Sequence, residues 1–400
     1  MTMRVSTSWR FEEGISQLQK RQRDLAELQT AMTTGKRISR PSDDPTGAAR
    51  AERAFIAQQR IEADQRAVAA SRAAMELAEG SLGQAVDRLQ DARETLVAAG
   101  NASYTPGERL AQVQQLKNVR QQLMSLANQS NGAGGYVFAG NSADTVPFID
   151  YASGVVSAAA AGQTQASSRE PMPTTVDGEA VWLSARSGNG VFVTAPGTPN
   201  SGQSWINAGH VTDPSANTAS SYQIVFDNSS GSMTYSVLRD GAATALTAQP
   251  FASGRAIEID GMSMVISGDP ANGDSFDVTP SQSNLSPFAA LDKAIAALSD
   301  VNATGTEVAQ AVNTGLRDLD AVMSQFQAAR ADAGATLTRL DALDNRNQDR
   351  ALWAATVQSS AEDADMVQVL SDFQNQQTGY QAALQSYAMV QRMSLLDYIK

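Results

Sequence analysis

Residues 61–96 read IEADQRAVAASRAAMELAEGSLGQAVDRLQDARETL, and within them Ile61, Val68, Met75, Leu82, Leu89 and Leu96 recur at seven-residue intervals. A seven-residue repeat sustained over five heptads keeps one apolar seam facing a partner helix, so the stretch reads as a long, coiled-coil-like helix. Similar stripes stand at both ends of the chain. Phe11, Ile15, Leu18, Leu25, Leu28 and Met32 form one, with Gln22 at a seam position. Met366, Leu370, Phe373, Gln377, Tyr380, Leu384 and Tyr387 form the other, spaced alternately by four and three. Each end is therefore expected to be an amphipathic helix.

Start and stop signals agree with these helices. Gly35 ends the first, and Asp44-Pro45 suits the N-cap and first position of the next, since the carboxylate accepts from orphan amides and proline has none to lose. Thr105-Pro-Gly-Glu108 is a capping box opening a third helix with Leu110, Val113, Leu116, Leu123 and Leu126, which the Gly132–Gly135 cluster stops. Ser286-Pro287 opens a helix striped by Phe288, Leu291, Ile295 and Leu298.

Composition changes twice along the 400 residues. Residues 1–139 and 285–400 are rich in Ala, Gln, Leu, Arg and Asp, whereas 140–284 turn to Gly, Ser, Thr, Asn and Pro with short apolar alternations such as Tyr222–Phe226, Met233–Leu238 and Met262–Ile266. The expected fold is α+β and elongated. An N-terminal helical arm (1–139) and a C-terminal helical arm (285–400) pair as a coiled-coil-like bundle, and a central antiparallel β domain (140–284) is inserted between them. No helical pattern alternates with the strands, which argues against an α/β nucleotide-binding fold.

The net charge of −12 argues against nucleic acid, because a polyanion needs a cationic face to bind. With no cysteine and the single His210, zinc clusters, thiol nucleophiles and histidine triads lack members. His210 reads as a surface or turn residue, and Asp227, Asp269 and Asp274 as turn residues rather than a calcium loop. No phosphate loop, HExxH or GxSxG occurs, so no enzyme, metal or cofactor is expected. No stretch is apolar and long enough for a membrane span or signal peptide, so no membrane partner is expected.

Charge is shared unevenly. Residues 1–139 hold 18 basic and 15 acidic side chains, 140–280 hold 4 and 13, and 281–400 hold 8 and 14, so a slightly basic first arm can lie against an acidic last arm. At the C-terminus Leu395, Leu396, Tyr398 and Ile399 carry an apolar strip almost to Lys400. Free chain ends fray, so such a strip needs cover, either from an antiparallel pair within the chain or from neighbouring chains. On the second reading Phe11, Ile15, Leu18, Leu25, Leu28, Met32, Leu370, Phe373, Tyr380, Leu384, Tyr387, Leu395, Leu396 and Tyr398 are subunit–subunit contacts. Between the first two helices, Lys36, Arg37, Asp43 and Asp44 belong to a rigid polar turn, salt-bridged and without a catalytic cleft.

Met3-Arg-Val-Ser-Thr-Ser8, Gly35-Lys-Arg-Ile-Ser-Arg-Pro-Ser-Asp-Asp-Pro45 and Gly135-Tyr-Val-Phe-Ala-Gly140 resemble the flagellin superfamily, and within it the hook-associated proteins of the hook–filament junction. Ser394-Leu-Leu-Asp-Tyr-Ile399 is similar to that family's C-terminal signature, and Gly268–Val278 to a segment shared among hook-associated proteins. The resemblance implies a structural flagellar subunit whose terminal helices pair in a tube wall while the β domain faces outward. It implies further copies of the chain in a ring, with a neighbouring hook-associated protein and flagellin as partners. It also implies secretion through the flagellar type III apparatus without a cleaved signal, helped by a cytoplasmic chaperone at the C-terminal region. Flagellin itself shares the terminal arms, and a ligand-binding module in the central domain belongs to a different class.

Overall fold

The computed structural model describes residues 7–398 apart from 102, 143, 168 and 230, with side-chain surroundings at 9 and from 12 to 389. Among these the helices are α1 (Thr7–Thr34), α2 (Pro45–Ala99), α3 (Pro106–Ala127), α4 (Gly178–Trp182), α5 (Pro287–Ser299), α6 (Gly305–Glu362) and α7 (Met366–Tyr398). The chain divides into two compact units, Met1–Arg66 with Leu343–Lys400, and Ala67–Ala342. Both long helices, α2 and α6, contribute to both.

All six heptad positions of α2 are buried, from Ile61 to Leu96. The periodicity hides a second row, because Ser71, Ala78, Ala85, Ala92 and Ala99 are buried too, three residues after each large side chain. Large and small residues thus alternate along one seam, which lets a facing helix approach closely while the volume stays filled. The facing helix is α6, whose Leu319, Phe326, Ala333 and Leu340 repeat at seven residues and are likewise buried. Arg93–Asp320 (3.0 Å) and Arg72–Asp341 (2.7 Å) set the two helices antiparallel in this unit. Being exposed, these pairs fix register more than they stabilise.

Around that seam α3 contributes Val113, Leu116, Val119 and Leu123, and α5 contributes Phe288, Leu291 and Leu298. Leu110, expected in the α3 stripe, is exposed; Val119 takes the inward place. Residues 140–185, which composition groups with the strands, pack Phe148 and Trp182 into this helical core beside Phe138. Trp182 is its centre, with the Phe326 ring edge-on at 4.7 Å, Phe138 edge-on at 5.5 Å and Phe288 stacked at 6.1 Å. Arg120 of α3 holds the neighbouring hairpin of β1 (Phe148–Tyr151) and β2 (Gly154–Ser157), donating from Nη2 to Asp150 and to Asp292, each at 2.9 Å. The two carboxylates raise its already high pKa, so its charge is permanent.

The remaining strands are antiparallel. The short pair β3 (Ala185–Arg186) and β14 (Ser283–Leu285) closes the base of the insert. One sheet runs β10 (Gln249–Pro250), β8 (Thr234–Arg239), β7 (Tyr222–Asp227), β13 (Ser275–Pro280), β4 (Phe192–Pro196), with β9 (Ala242–Ala243) on β8. The other runs β11 (Ala256–Ile259), β12 (Met262–Asp269), β5 (Gln203–Ile206), with β6 (His210–Val211) on β12. Alternate residues Tyr222, Ile224 and Phe226 of one sheet and Met262, Met264 and Ile266 of the other share a second core with Phe276 and Val278. His210 sits exposed on the short strand β6, and Asp274 accepts the amides of Ser201, Gly202 and Ala271, which is turn chemistry.

Both predicted caps are made. Asp44 Oδ1 accepts from Gly47 N at 3.0 Å and Thr46 N at 3.1 Å, and Thr105 N donates to Glu108 Oε2 at 2.7 Å while Glu108 N donates back to Thr105 Oγ1. The amide of Gly47, then the Thr46 hydroxyl, hold the Asp44 carboxyl below its ordinary value of 3.8; the Thr105 amide and hydroxyl do the same for Glu108, below 4.5. Depressed carboxyl pKa values stabilise the fold fully above the unfolded values, and that contribution is lost as pH falls through the folded ones.

Two outcomes are expected. Hydrogen-exchange protection of the Gly47 and Glu108 amides falls on acidification below about pH 4, and Glu108→Gln removes that acid step at α3 alone. In urea unfolding followed by far-ultraviolet circular dichroism, Leu89→Ala destabilises by about 3 kcal/mol, whereas Leu77→Ala, off the seam on the same helix, stays within about 0.5 kcal/mol.

Candidate assembly surface

In the unit formed by 1–66 and 343–400, α1 and α7 lie side by side and antiparallel. Gln376 Nε2 donates to Asp24 Oδ2 at 3.0 Å, Arg21 Nη1 donates to Gln376 Oε1 at 3.4 Å, and a Cβ at Gly14 would stand 3.4 Å from the Tyr387 ring. Gly379 faces the same arginine, where a Cβ would stand 2.6 Å from Arg21 Nη1. Pairing within the chain is thus one of the two covers open to the strip.

It is incomplete cover. Leu18, Leu25, Leu28, Met32, Phe373, Tyr380 and Tyr387 are only half-buried, and Ile15, Leu370 and Leu384 are exposed. A two-helix ribbon buries one flank of each stripe and leaves the other to water. Phe11, Leu395, Leu396 and Tyr398 lie outside the residues whose side chains are described.

The polar turn locks the ends of two helices together. Arg37 N donates to Glu362 O at 2.7 Å and Ala364 N to Gly35 O at 2.9 Å, so the turn pairs with the break between α6 and α7. Lys36 Nζ meets Glu362 Oε1 at 2.9 Å; Arg37 Nη2 donates to Ala361 O at 2.9 Å and faces Asp44 at 3.5 Å. Asp43 folds back onto the amides of Ser39 and Arg40. Ile38 is buried beneath, and a Cβ at Gly47 would stand 2.5 Å from its Cδ1, so glycine is what allows the turn to seat on α2.

Around this lock the distribution of apolar residues is inverted. The unit's buried hydrophobics are Ile38, Ala51, Ala54, Ile61, Leu343, Ala354 and Ala361, mostly alanines. Its large apolar side chains point outward: Leu352 is 71% and Trp353 66% exposed, and Phe55, Ile56, Met366, Val367 and Met389 are exposed as well. At 100° per residue, Ile56 falls opposite the Ala54–Ile61 line and Leu352 opposite the Leu343–Ala354–Ala361 line. Sequence reasoning missed all four of Phe55, Ile56, Leu352 and Trp353. Extending the heptad of α2 back to Ala54, and asking which neighbours fall off it, would have found the first pair.

Exposed apolar side chains in such number around a thin core make this unit the candidate interaction surface. Nothing in the turn is arranged for chemistry: its carboxylates are engaged by backbone amides and cations, and no group of three potential metal ligands occurs among the described residues.

Known proteins share this architecture. Residues 6–143 match the family model of the bacterial flagellin N-terminal helical region, and residues 196–280 that of the D2-like domain of flagellar hook-associated protein 1. The chain is 27% identical over 401 residues to flagellar hook-associated protein 3 of Salmonella typhimurium, covering 99% of each, and 25% identical over 404 residues to that of Escherichia coli, covering 100% of each. The crystal structure of the flagellar junction protein FlgL from Legionella pneumophila is similar with TM-score 0.69 and 27% identity, over 78% of this chain and 100% of that one. FlgL from Xanthomonas campestris is similar with TM-score 0.68 and 28% identity, over 77% and 99%. In full-length sequence, and in the helical arms around an antiparallel insert, the chain is similar to the FlgL-type flagellar hook-associated proteins, and its residues 6–143 to the flagellin N-terminal helical region.

Proposed function

We propose that the chain is a structural subunit of the bacterial flagellum that joins hook to filament, and that its terminal unit is the part that packs against neighbours. The relatives bear the names of flagellar hook-associated and junction proteins. The observation that carries the packing assignment is the inverted terminal unit, with alanines inside and Leu352, Trp353, Phe55, Leu370 and Leu384 outside.

A monomer gains nothing from that arrangement. In an assembly each buried Å² of apolar surface contributes about 25 cal/mol, opposed by the ordering of the helices that supply it. The partners on this reading are other copies of the chain in a ring, a neighbouring hook-associated protein on one side and flagellin on the other. The strip from Phe11 to Met32 and from Leu370 to Tyr398 supplies contacts between subunits, with Phe55, Ile56, Leu352 and Trp353 added. The composition-defined arms, 1–139 and 285–400, carry assembly, and the central part faces outward.

The reading places the protein outside the cell. No described helix is long and apolar enough to cross a membrane. Export without a cleaved signal, with a cytoplasmic chaperone on the C-terminal region, completes the proposal. The role is mechanical, with no catalysed reaction, metal or cofactor.

Deletion of the gene tests the junction role: cells should still build hooks but release filament subunits into the medium, and normal filaments would refute it. Leu352→Asp and Leu370→Asp test the surface. Each change falls on an exposed side chain, so monomer stability should shift by no more than about 0.5 kcal/mol, while filament retention and motility should drop several-fold; unchanged retention would remove these residues from the interface.

A further inference from the structure

We propose that the cavity between the β4–β5 loop and the helices α5 and α6 is a binding site for a neutral, hydroxyl-rich ligand of carbohydrate type. The cavity measures about 470 Å³, within the range of small-molecule sites, and lies where the sheet-bearing part of the second unit meets its helices. One side is the loop Pro196–Ser204; the other is built from the small residues Ala290, Ala294, Ala297, Ala311 and Gly315.

Its walls are prebuilt. Asp274 holds the loop through the amides of Ser201 (2.8 Å) and Gly202 (3.0 Å), and Asn200 brackets Ser275, accepting from its amide at 2.9 Å and donating to its carbonyl at 2.8 Å. A site that needs no ordering keeps more of its contact energy for the ligand.

The chemistry centres on Asp318, which is only 5% exposed and lines the cavity. Arg317 reaches it from Nε at 2.9 Å and Nη2 at 2.8 Å, but both contacts fall on Oδ1. Arg317 is itself anchored to Thr194 O at 2.8 Å. Asp318 Oδ2 accepts no hydrogen bond among the described residues, and it is not sealed from the cavity. A carboxylate oxygen of a lining residue that has no protein partner and is reached by solvent is free to accept from a ligand in place of water.

Charge and shape select which donor. Arg317 already neutralises Asp318, and the other charged groups on the wall, Lys293 and Glu307, cancel each other, so the site has no net charge with which to draw an ion. None of the lining residues is aromatic, so no ring, base or sugar, has a stacking platform and recognition falls to the polar groups. The polar groups left are hydroxyl and amide partners: Thr314, whose Oγ1 accepts from Gln310 Nε2 at 3.0 Å, keeps its own proton to donate, and Gln310 keeps one amide hydrogen. Alternating donors and acceptors around a strong acceptor match the vicinal hydroxyls of a sugar, one of which would give Asp318 Oδ2 a charge-assisted bond.

Isothermal titration of the full-length protein with D-glucose, N-acetyl-D-glucosamine and maltose tests the proposal, with spermidine and inorganic phosphate as charged probes. At least one sugar is expected to saturate a single site. Ala311→Leu, which fills the cavity without touching the Arg317–Asp318 pair, should abolish that binding, and Asp318→Asn should weaken it about tenfold. If Asp318→Asn does not fold, Ala311→Leu decides the matter alone. No saturation by any of the sugars, saturation only by spermidine or phosphate, or sugar binding unchanged in Ala311→Leu would each overturn it.

Discussion

The seven-residue seam along α2 and α6 is the constraint on which the other elements depend. Val68, Met75, Leu82, Leu89 and Leu96 supply the volume of the seam, and the buried small residues Ser71, Ala78, Ala85, Ala92 and Ala99 follow each of them by three positions. With that ribbon in place, α3, α5 and the aromatic cluster at Trp182 have a surface to cover, and the polypeptide between 137 and 185 is drawn into the helical core.

The same repeat changes character toward its outer end. On α2 it passes through Ile61 to Ala54, and on α6 through Asn347 to Ala354 and Ala361, so the side chains in the seam shrink. A seam of alanines still aligns helices but buries little apolar area, and area is the source of stabilisation. Here the large apolar residues sit outside, and the polar turn at 35–47 does by hydrogen bonding what packing cannot: it ties the start of α2 to the α6–α7 break through Arg37, Gly35 and Lys36. The unit is thus held in shape by its turn, with its large apolar side chains left exposed. The opposite design holds in the sandwich, where Tyr222, Ile224, Phe226, Met264 and Ile266 are turned fully inward.

Helix existence, the caps at Asp44 and Thr105–Glu108, and the core role of the 61–96 heptads were legible because each depends on neighbours within a few residues or on a simple period. The short strands at 222–227, 234–239 and 262–269 were legible for the same reason. The α6 repeat was not, since Ala333, Asn347, Ala354 and Ala361 occupy four of its places and carry no hydrophobic signal of their own. Trp182 was missed as a core centre because the residues around it look like loop; its burial comes from Phe138, Phe288 and Phe326, up to 144 positions away.

By itself the sequence determined where the helices run, that their stripes need partners, and that thiol nucleophiles and histidine clusters lack members. Those are consequences of period and composition, which local chemistry dictates. Tertiary structure alone decided that α1 and α7 pair antiparallel within one chain and cover each other only in part. It also decided that Leu352 and Trp353 face outward, and that Asp318 lines a cavity. Which flank of a stripe remains open depends on the angle at which a distant helix approaches, and that angle is set by the packing of side chains hundreds of residues apart.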